Sequence, residues 1–545
     1  MGDPISTFII TALGVTEGSF LAGAIVAAVD FAIVAGVSYG ANALFGPDVE
    51  SPDRGRDVVS RQANDPQRII LGKARVFGTL VGETAYHSAS TTHPANTLVR
   101  VQVLAGHEID GIDSLIVGGE TVSWNSVTGD SFAGGSDGAV TTAPYRRPYR
   151  PEPIGGDPID IDSFLTVSHG LGKDDQPADA MMRALAPSYW RSTDRLRGLA
   201  YLAWHARLNP SMFNGEPQVA AVVRGLKVHD PRDPDSDPID PDTWTWTENN
   251  ILLAAHYDRF EYGPLQDLVL NLPGRVREEK WTDWDMIADG ADKCAELRQV
   301  TEFYSEKRYR CWGTALSNED PERVISRIMG ACGGWRARPS GVFRAWPGAY
   351  YPPVQGFAVG EGDILDGFGA QNRRSVSESA GGVSGEYYSE EDNWKKIPYP
   401  AVKREGLTGE PRYLDLPLDY SPSPYQCQQI AQIELRRRAA RWRVSGPIKL
   451  KGLLFSAGDT VSITYSREGI ENMPVLVEDW AQSTDEEGVP IIEIMGVELR
   501  EADFSDPPYI EPTLRPLPVD IRPNRTPPGF NGGITGGAIY DEISE

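Results

Sequence analysis

"VAAVVRGLKVHDPRDPDSDPIDPDTW", Val219 to Trp244, passes from a β-branched run straight into a loop built on repeated Asp-Pro. The run has the composition of a strand. In the loop each proline biases the residue before it away from helical backbone, so the segment is extended and non-helical. Asp233, Asp235 and Asp237 offer the hard oxygens that calcium favours. The loop lacks the glycine and the closing glutamate of a calcium-binding motif, and a solvated hairpin tip is the better reading. A strand that turns through such a tip belongs to a chain made mainly of strands.

Upstream, "RIILGKARVFGTLVGETAY" (68–86) and "TLVRVQVLAGHEIDGIDSLIVGGETVSW" (97–124) show β-branched runs broken by Gly and Asp, which are hairpin signals. "RLRGLAYLAWHARL" (195–208) is ambiguous between helix and strand, and the aromatics and the turn-forming "NPSMFNG" after it favour a strand. Downstream the period changes. "TDWDMIADGADKCAEL" (282–297) starts at a Thr or Asp cap and aligns Trp284, Ile287, Ala291 and Cys294 on one helical face. "NEDPERVISRIMGACGGW" (318–335) places Pro321 at a first helical position, with Val324, Ile328 and Cys332 in line before a Gly-Gly stop. "SPYQCQQIAQIELRRRAARW" (423–442) is a third helix, and Arg436, Arg437 and Arg438 sit toward the end that its dipole makes favourable for cations. Strands return in "GLLFSAGDTVSITY" (452–465) and "PVLVEDW" (474–480), and the Pro-rich residues from 504 onward read as an extended arm that docks a partner.

The chain has 545 residues, a formal net charge of −25 and 40% hydrophobic residues, enough for several ordinary cores. The acidic balance argues against a protein that grips nucleic acid, and no sequence-specific nucleic-acid binding is expected. It is compatible with a wall that DNA slides past, because like charge repels the backbone. Cys294, Cys311, Cys332 and Cys427 form no CxxC pair and read as buried free thiols.

The apolar stretch Phe20–Phe45 is a separate question. It lacks the basic start of a secretory signal, and Asp30 divides it into pieces shorter than a membrane span. Ala32, Gly36 and Gly40 recur every four residues as a small-residue stripe along which another helix can approach closely. A helical hairpin packed on its own domain, a bundle of three copies on an axis, and a bilayer-active segment are the readings that remain.

No catalytic pattern emerges. His87, His93 and His107 stand in polar or strand contexts without an HExxH pair, so no zinc site is assigned. "SHGLGKDD" (168–175) has Asp174 where a phosphate loop needs Ser or Thr. No GxSxG elbow is present. Neither an enzyme nor a cofactor is expected.

The order of segments carries more. "RQANDPQRIILGKARVFGTLV", "STDRLRGLAYLAWHARL", "VVRGLKVHDPRD…WTENNILLAAHYDRFEYG", "MIADGADKCAE", "KRYRCWGTALSNEDPERVISRIMGACGG", "GVFRAWPG", "RRSVSESAGGVSGEYYSEEDNWKKIPYPAV" and "LFSAGDTVSI" follow one another from about residue 62 to 499. Together they resemble the tail tip attachment proteins of long-tailed bacteriophages, the protein J family. The resemblance matches Arg224, Gly225, Lys227, Asp230 and Pro231 to the family's strand-and-turn motif, and Trp244, Asn249 and Asn250 to the start of its helix. Cys294 and Cys311 fall where members often have cysteine.

The resemblance implies a structural tail-tip or baseplate hub, a homotrimer that closes the tail tube, surrounds a DNA channel and mounts a fibre. Its partners would be the distal tail and other tail-tip proteins, the tape measure, a separate tail fibre and, through Phe20–Phe45, the host membrane. A tail-associated cell-wall hydrolase and a pore-forming protein are the alternatives. The expected fold is multidomain and mainly β with α+β modules, its hub domains being barrels or sandwiches. Its parts are an apolar helical segment at 1–46, a β-rich domain at 47–225, an α+β module at 226–340, a β-rich domain with one long helix at 341–503, and the arm at 504–545.

Overall fold

The computed structural model describes residues 65–511 apart from 87–96, 134–135, 144, 146–162, 209–212, 214–215, 260–280, 355, 373–380, 405–411, 439–441 and 486. The apolar segment with Asp30, Ala32, Gly36 and Gly40, along with His87, His93 and the arm beyond 511, lies outside the described residues. What is described is mainly β and arranged in several sheets.

The first described strand serves two sheets. Arg68–Leu71 pairs with Gly313–Leu316, and after Gly72 the same stretch continues as Lys73–Val76 beside Val219–Arg224. Gly72 has φ +61°, and a Cβ there would lie 1.9 Å from the Cys311 carbonyl oxygen. Only glycine fits such a crossing.

Two four-stranded antiparallel sheets follow. One runs Lys73–Val76, Val219–Arg224, Gly111–Val117, Glu120–Val122; the other runs Thr79–Tyr86, Thr97–Ala105, Ala200–Arg207, Leu165–Leu171. Leu104, Leu115, Leu165, Trp204 and Val223 fill the space between them. The outer face of the second sheet is covered too: Val101, Tyr201 and Ala203 pack against Met181, Met182 and Leu185 of helix α1 (Ala180–Leu185). Burial on both faces explains why residues 195–208 carry no clean period of two. The expected strand is present at Ala200–Arg207.

A helical layer comes next. Helix α2 (Asn250–Arg259) is buried from Asn250 through Asp258 and packs against α3 (Trp284–Ala295) and α4 (Pro321–Gly330). Asp283 caps α3 by accepting from Met286 N at 3.2 Å, and Asp320 caps α4 by accepting from Glu322 N at 3.1 Å. Ile287, Ala291 and Cys294 of α3, with Val324 and Ile328 of α4, are fully buried against Phe343 and Ala345 of the hairpin Trp335–Ala337/Arg344–Trp346. The same core takes in Ile69 and Leu71 at one extreme of the chain and Ile430 and Leu435 of helix α5 (Pro424–Arg437) at the other. Ser423 caps α5, and its hydroxyl donates to Glu306 Oε1 at 2.8 Å.

The last sheet has six strands in the order Ala358–Val359, Thr460–Tyr465, Ile470–Thr484, Pro490–Glu498, Arg443–Ile448, Gly369–Gln371. Its core is Val461, Ile463, Val475, Ile492 and their neighbours. Beyond it the chain turns back along α5. Arg436 Nη1 donates to the Ser505 carbonyl at 2.9 Å, Gln429 Nε2 to Asp506 at 3.2 Å, and Gln428 bonds both backbone groups of Ile510 at 2.8 Å. The start of the arm therefore lies on the chain's own helix. Arg436 holds that segment, and the Arg437 guanidinium stands over Trp335 and Phe504, beyond the dipole role expected of the cluster.

Two outcomes are expected from this packing. Ile328→Asp places a carboxylate at a fully buried position and should cost about 3–5 kcal/mol, read as a lowered midpoint in urea unfolding. A wild-type midpoint would show that the face is misassigned. The second concerns His107, whose Nε2 accepts from Ile70 N at 3.0 Å while Nδ1 donates to the Glu108 carbonyl at 2.7 Å. Burial, opposed only by that carbonyl, lowers its pKa from 6.5 to about 4. The unfolded chain therefore binds a proton that the folded chain refuses between those values. Stability is complete above about pH 6.5 and falls by up to about 3 kcal/mol as pH drops toward 4. His107→Gln should flatten the melting-temperature profile in that window, and an unchanged slope would contradict the assignment.

Candidate functional site

The eight residues matched by resemblance sit along one continuous stretch, where the sandwich of the two four-stranded sheets meets the helical layer. Arg224 ends its strand with Nε donating to Asp110 Oδ2 at 2.6 Å and Nη1 facing Asp113 at 3.0 Å, its guanidinium 5.8 Å from the Trp246 ring centre. Gly225 crosses directly over the first strand. Its N–H donates to the Gly72 carbonyl at 2.7 Å, and a Cβ would lie 2.1 Å from the Ile70 carbonyl oxygen. Trp246 Nε1 donates to the same Gly72 carbonyl at 3.0 Å. Lys227 pairs with Glu108 at 2.6 Å.

Lys227–Val228 and Thr245–Trp246 pair antiparallel, so the Asp-Pro stretch between them is a hairpin tip, as the sequence predicts. Pro231 occupies the second position of the turn Asp230–Asp233, where its fixed φ is preset, and the turn closes with a 3.1 Å bond from Asp233 N to Asp230 O. Burial works against the Asp230 charge, but hydrogen bonds from the Arg232 guanidinium and backbone hold its carboxyl below the usual range. Arg232 also reaches Asp292 of α3 at 3.1 Å. Within the tip, Asp233, Asp237 and Asp240 each accept from the backbone N–H two residues on, at 3.0, 2.8 and 3.1 Å. Trp244 Nε1 closes the tip on the Asp237 carbonyl at 2.7 Å, and its ring meets His256 of α2 edge-on at 5.1 Å. These carboxylates shape the backbone of the turn. Among the described residues no three His, Cys, Asp or Glu side chains are grouped to hold a metal ion.

The two asparagines anchor α2. Asn249 Oδ1 accepts from Ile251 N at 3.1 Å as a cap, and its Nδ2 donates to the Ala291 carbonyl of α3 at 2.9 Å. Asn250 Nδ2 donates to the Ile328 carbonyl of α4 at 3.0 Å. Adjacent residues thus fasten one helix to two others. Cys294 and Cys311 lie fully buried in the same core, and burial pushes both thiols well above their ordinary pKa. They pack as small apolar groups. What this stretch does chemically is join surfaces: Arg224, Lys227, Asp230 and both asparagine Nδ2 groups bond partners within the chain, while Asn250 Oδ1 is buried without one.

Sequence reasoning missed several residues that finish the junction. Arg308 is buried, with Nη1 donating to Glu296 at 3.0 Å and Nη2 to the Gly348 carbonyl at 2.9 Å. Gln426 inside α5 bonds the Arg310 backbone on both sides, at 3.0 and 2.8 Å, and reaches the Ala331 carbonyl at 2.6 Å. The hairpin Glu386–Ser389/Lys395–Pro398 sends Glu390 to Lys73 at 2.7 Å and the Asn393 carbonyl to Arg75 at 2.8 Å. Its only sequence signal is "DNW", and Asn393 and Trp394 both adopt positive φ, at 59° and 60°.

No protein-family profile matches the sequence, and no curated protein matches it. Among solved structures, a chain of the native gene transfer agent virion is similar with a TM-score of 0.52 and 16% identity, over 89% of this chain and 99% of that one. The 43 kDa tail protein of prophage MuSo2 from Shewanella oneidensis aligns at a TM-score of 0.27 and 10% identity, over 81% of this chain and 100% of that one. The tail protein from Neisseria meningitidis MC58 aligns at 0.29 and 10%, over 80% and 96%. The first of these likenesses is one of fold: the chain shares the architecture of that virion chain along nearly its whole length.

Proposed function

We propose that the chain is a structural protein of a phage-type tail, and within it a tail-tip or baseplate hub. The observation that carries this reading is the fold shared with a gene transfer agent virion chain over 89% of this chain and 99% of the other. The order of the sequence segments that resemble the protein J family supports it independently. In this reading three copies form a ring that closes the tail tube and surrounds the DNA. Its acidic balance, −25 per chain, suits a conduit that must not hold the DNA backbone. The distal tail protein, the other tail-tip proteins and the tape measure contact it, and a separate fibre binds the receptor. Phe20–Phe45 then either plugs the channel or enters the host membrane. The work is mechanical rather than catalytic, consistent with a motif stretch whose polar groups are engaged in holding modules together.

An averaged image of the intact particle tests this. Threefold density for this chain at the tip of the tail is the expected result. A sixfold ring, or a monomer in the particle, would refute the trimer. Purified protein should leave peptidoglycan intact, and release of soluble fragments would replace the hub with the hydrolase reading.

A further inference from the structure

Between α4, α5 and residues 414–420 lies a groove of about 280 Å³. Leu416, Ile430 and Ile433 contribute aliphatic surface to it, and Arg323, Arg327, Arg437 and Arg438 line it against only Asp419 and Glu434. That is an excess of positive charge on a chain of net −25. Two of the arginines are answered, Arg327 by Glu319 and Arg438 by Glu434, each at 2.7 Å. The other two have no carboxylate partner among the described residues. Arg323 is exposed and its guanidinium has no ion-pair partner among the described residues. Arg437 Nη1 donates to the Gly333 carbonyl at 3.5 Å, its Nη2 is buried without a hydrogen-bond partner, and Trp335 and Phe504 lie 5.1 and 5.5 Å from its guanidinium. A buried charged donor left unsatisfied is costly, so its position calls for an acceptor. At Gly330, which also lines the groove, a Cβ would meet nothing within 4 Å.

We propose that this groove receives the chain's own segment Ile539–Glu545, "IYDEISE". The segment carries Asp541, Glu542 and Glu545 with no Lys or Arg, and Ile539, Tyr540 and Ile543 supply apolar side chains for the aliphatic surface. Its sign and its hydrophobicity both match. The path favours the same copy of the chain. Residues 505–510 already run along α5, and that helix forms one wall of the groove. Residues 511–538 separate this point from the segment and span up to about 90 Å when extended. Helix α5, with 14 residues, is only about 21 Å long. A tether of this kind holds its end at roughly millimolar effective concentration, so a contact of modest affinity is occupied. The docking does not depend on the tail-tip reading.

The test uses the full chain with the photoreactive p-benzoylphenylalanine in place of Tyr540. After irradiation, mapped crosslinks should fall on α4, α5 or residues 414–420, in a product that runs as a single chain on a denaturing gel. Gly330→Leu fills open space and replaces glycine with a better helix former, so the chain should fold while its groove is blocked. Arg323→Glu, at an exposed position, reverses one of the open charges without touching the core. Each should lower the crosslink yield about tenfold, the size expected from losing one good contact. Arg191→Glu, on an exposed loop of the sandwich, should leave it unchanged. Crosslinks elsewhere on the chain, between two chains or to another tail protein would each overturn the proposal. So would a yield that survives both groove variants.

Discussion

The architecture turns on the crossing at Gly72. One carbonyl there accepts from Gly225 N and from Trp246 Nε1, and the Cys311 carbonyl occupies the space where a side chain would begin. Through that point the first strand leaves the helical core and enters the sandwich, so two cores share a single backbone. Neither sheet could be displaced without breaking bonds in the other. Gly225 repeats the constraint from the opposite side, against Ile70. Where two backbones pass this closely, the tolerance is set by the size of a methyl group and no longer by the strength of any contact.

Much of this was readable from sequence where the signal is local. Asp283, Asp320 and Ser423 are found at the caps that their side chains favour, and the faces of α3 and α4 are buried as their periods require. The strand at Ala200–Arg207 was harder because both of its faces are covered, which removes the alternation that marks a half-buried strand. In α5 the local signal misleads. Gln426, Gln428 and Gln429 are polar residues of the kind usually left in water, yet all are buried, because each amide bonds a backbone group or carboxylate brought in from elsewhere. The motif at 224–250 could be placed by resemblance, but nothing local says that Asn249 and Asn250 clasp α3 and α4. Those partners lie 42 and 78 residues away.

The arginines show how a strongly acidic chain arranges its few cations. Arg100 lies almost wholly buried beside Glu83 and Glu216, over the face of Trp204. Arg308 closes the end of α3 onto the loop at Gly348. Only the guanidinium is withdrawn from water in these pairs, the glutamates staying more than a third exposed, and the cost of desolvating it offsets much of the attraction. Their effect is on specificity: a displaced module would leave a buried guanidinium unanswered.

The joining of Ile69 with Leu435 in one core has a consequence for synthesis. A ribosome delivers the chain from its amino end, and the strand Arg68–Leu71 must wait for Gly313–Leu316 before it has a neighbour on that side. Helix α5, which completes the same core, arrives later still. Until then the interior that Ile69 and Leu71 enter, begun by Leu226, Val228 and helix α2, is incomplete, while the sandwich beyond Gly72 can already close around Trp204. Assembly from contacts this distant in sequence is slow and leaves apolar surface open for longer. Part of the apolar surface of this core therefore stays uncovered through the middle of synthesis, until the helix at 424–437 emerges.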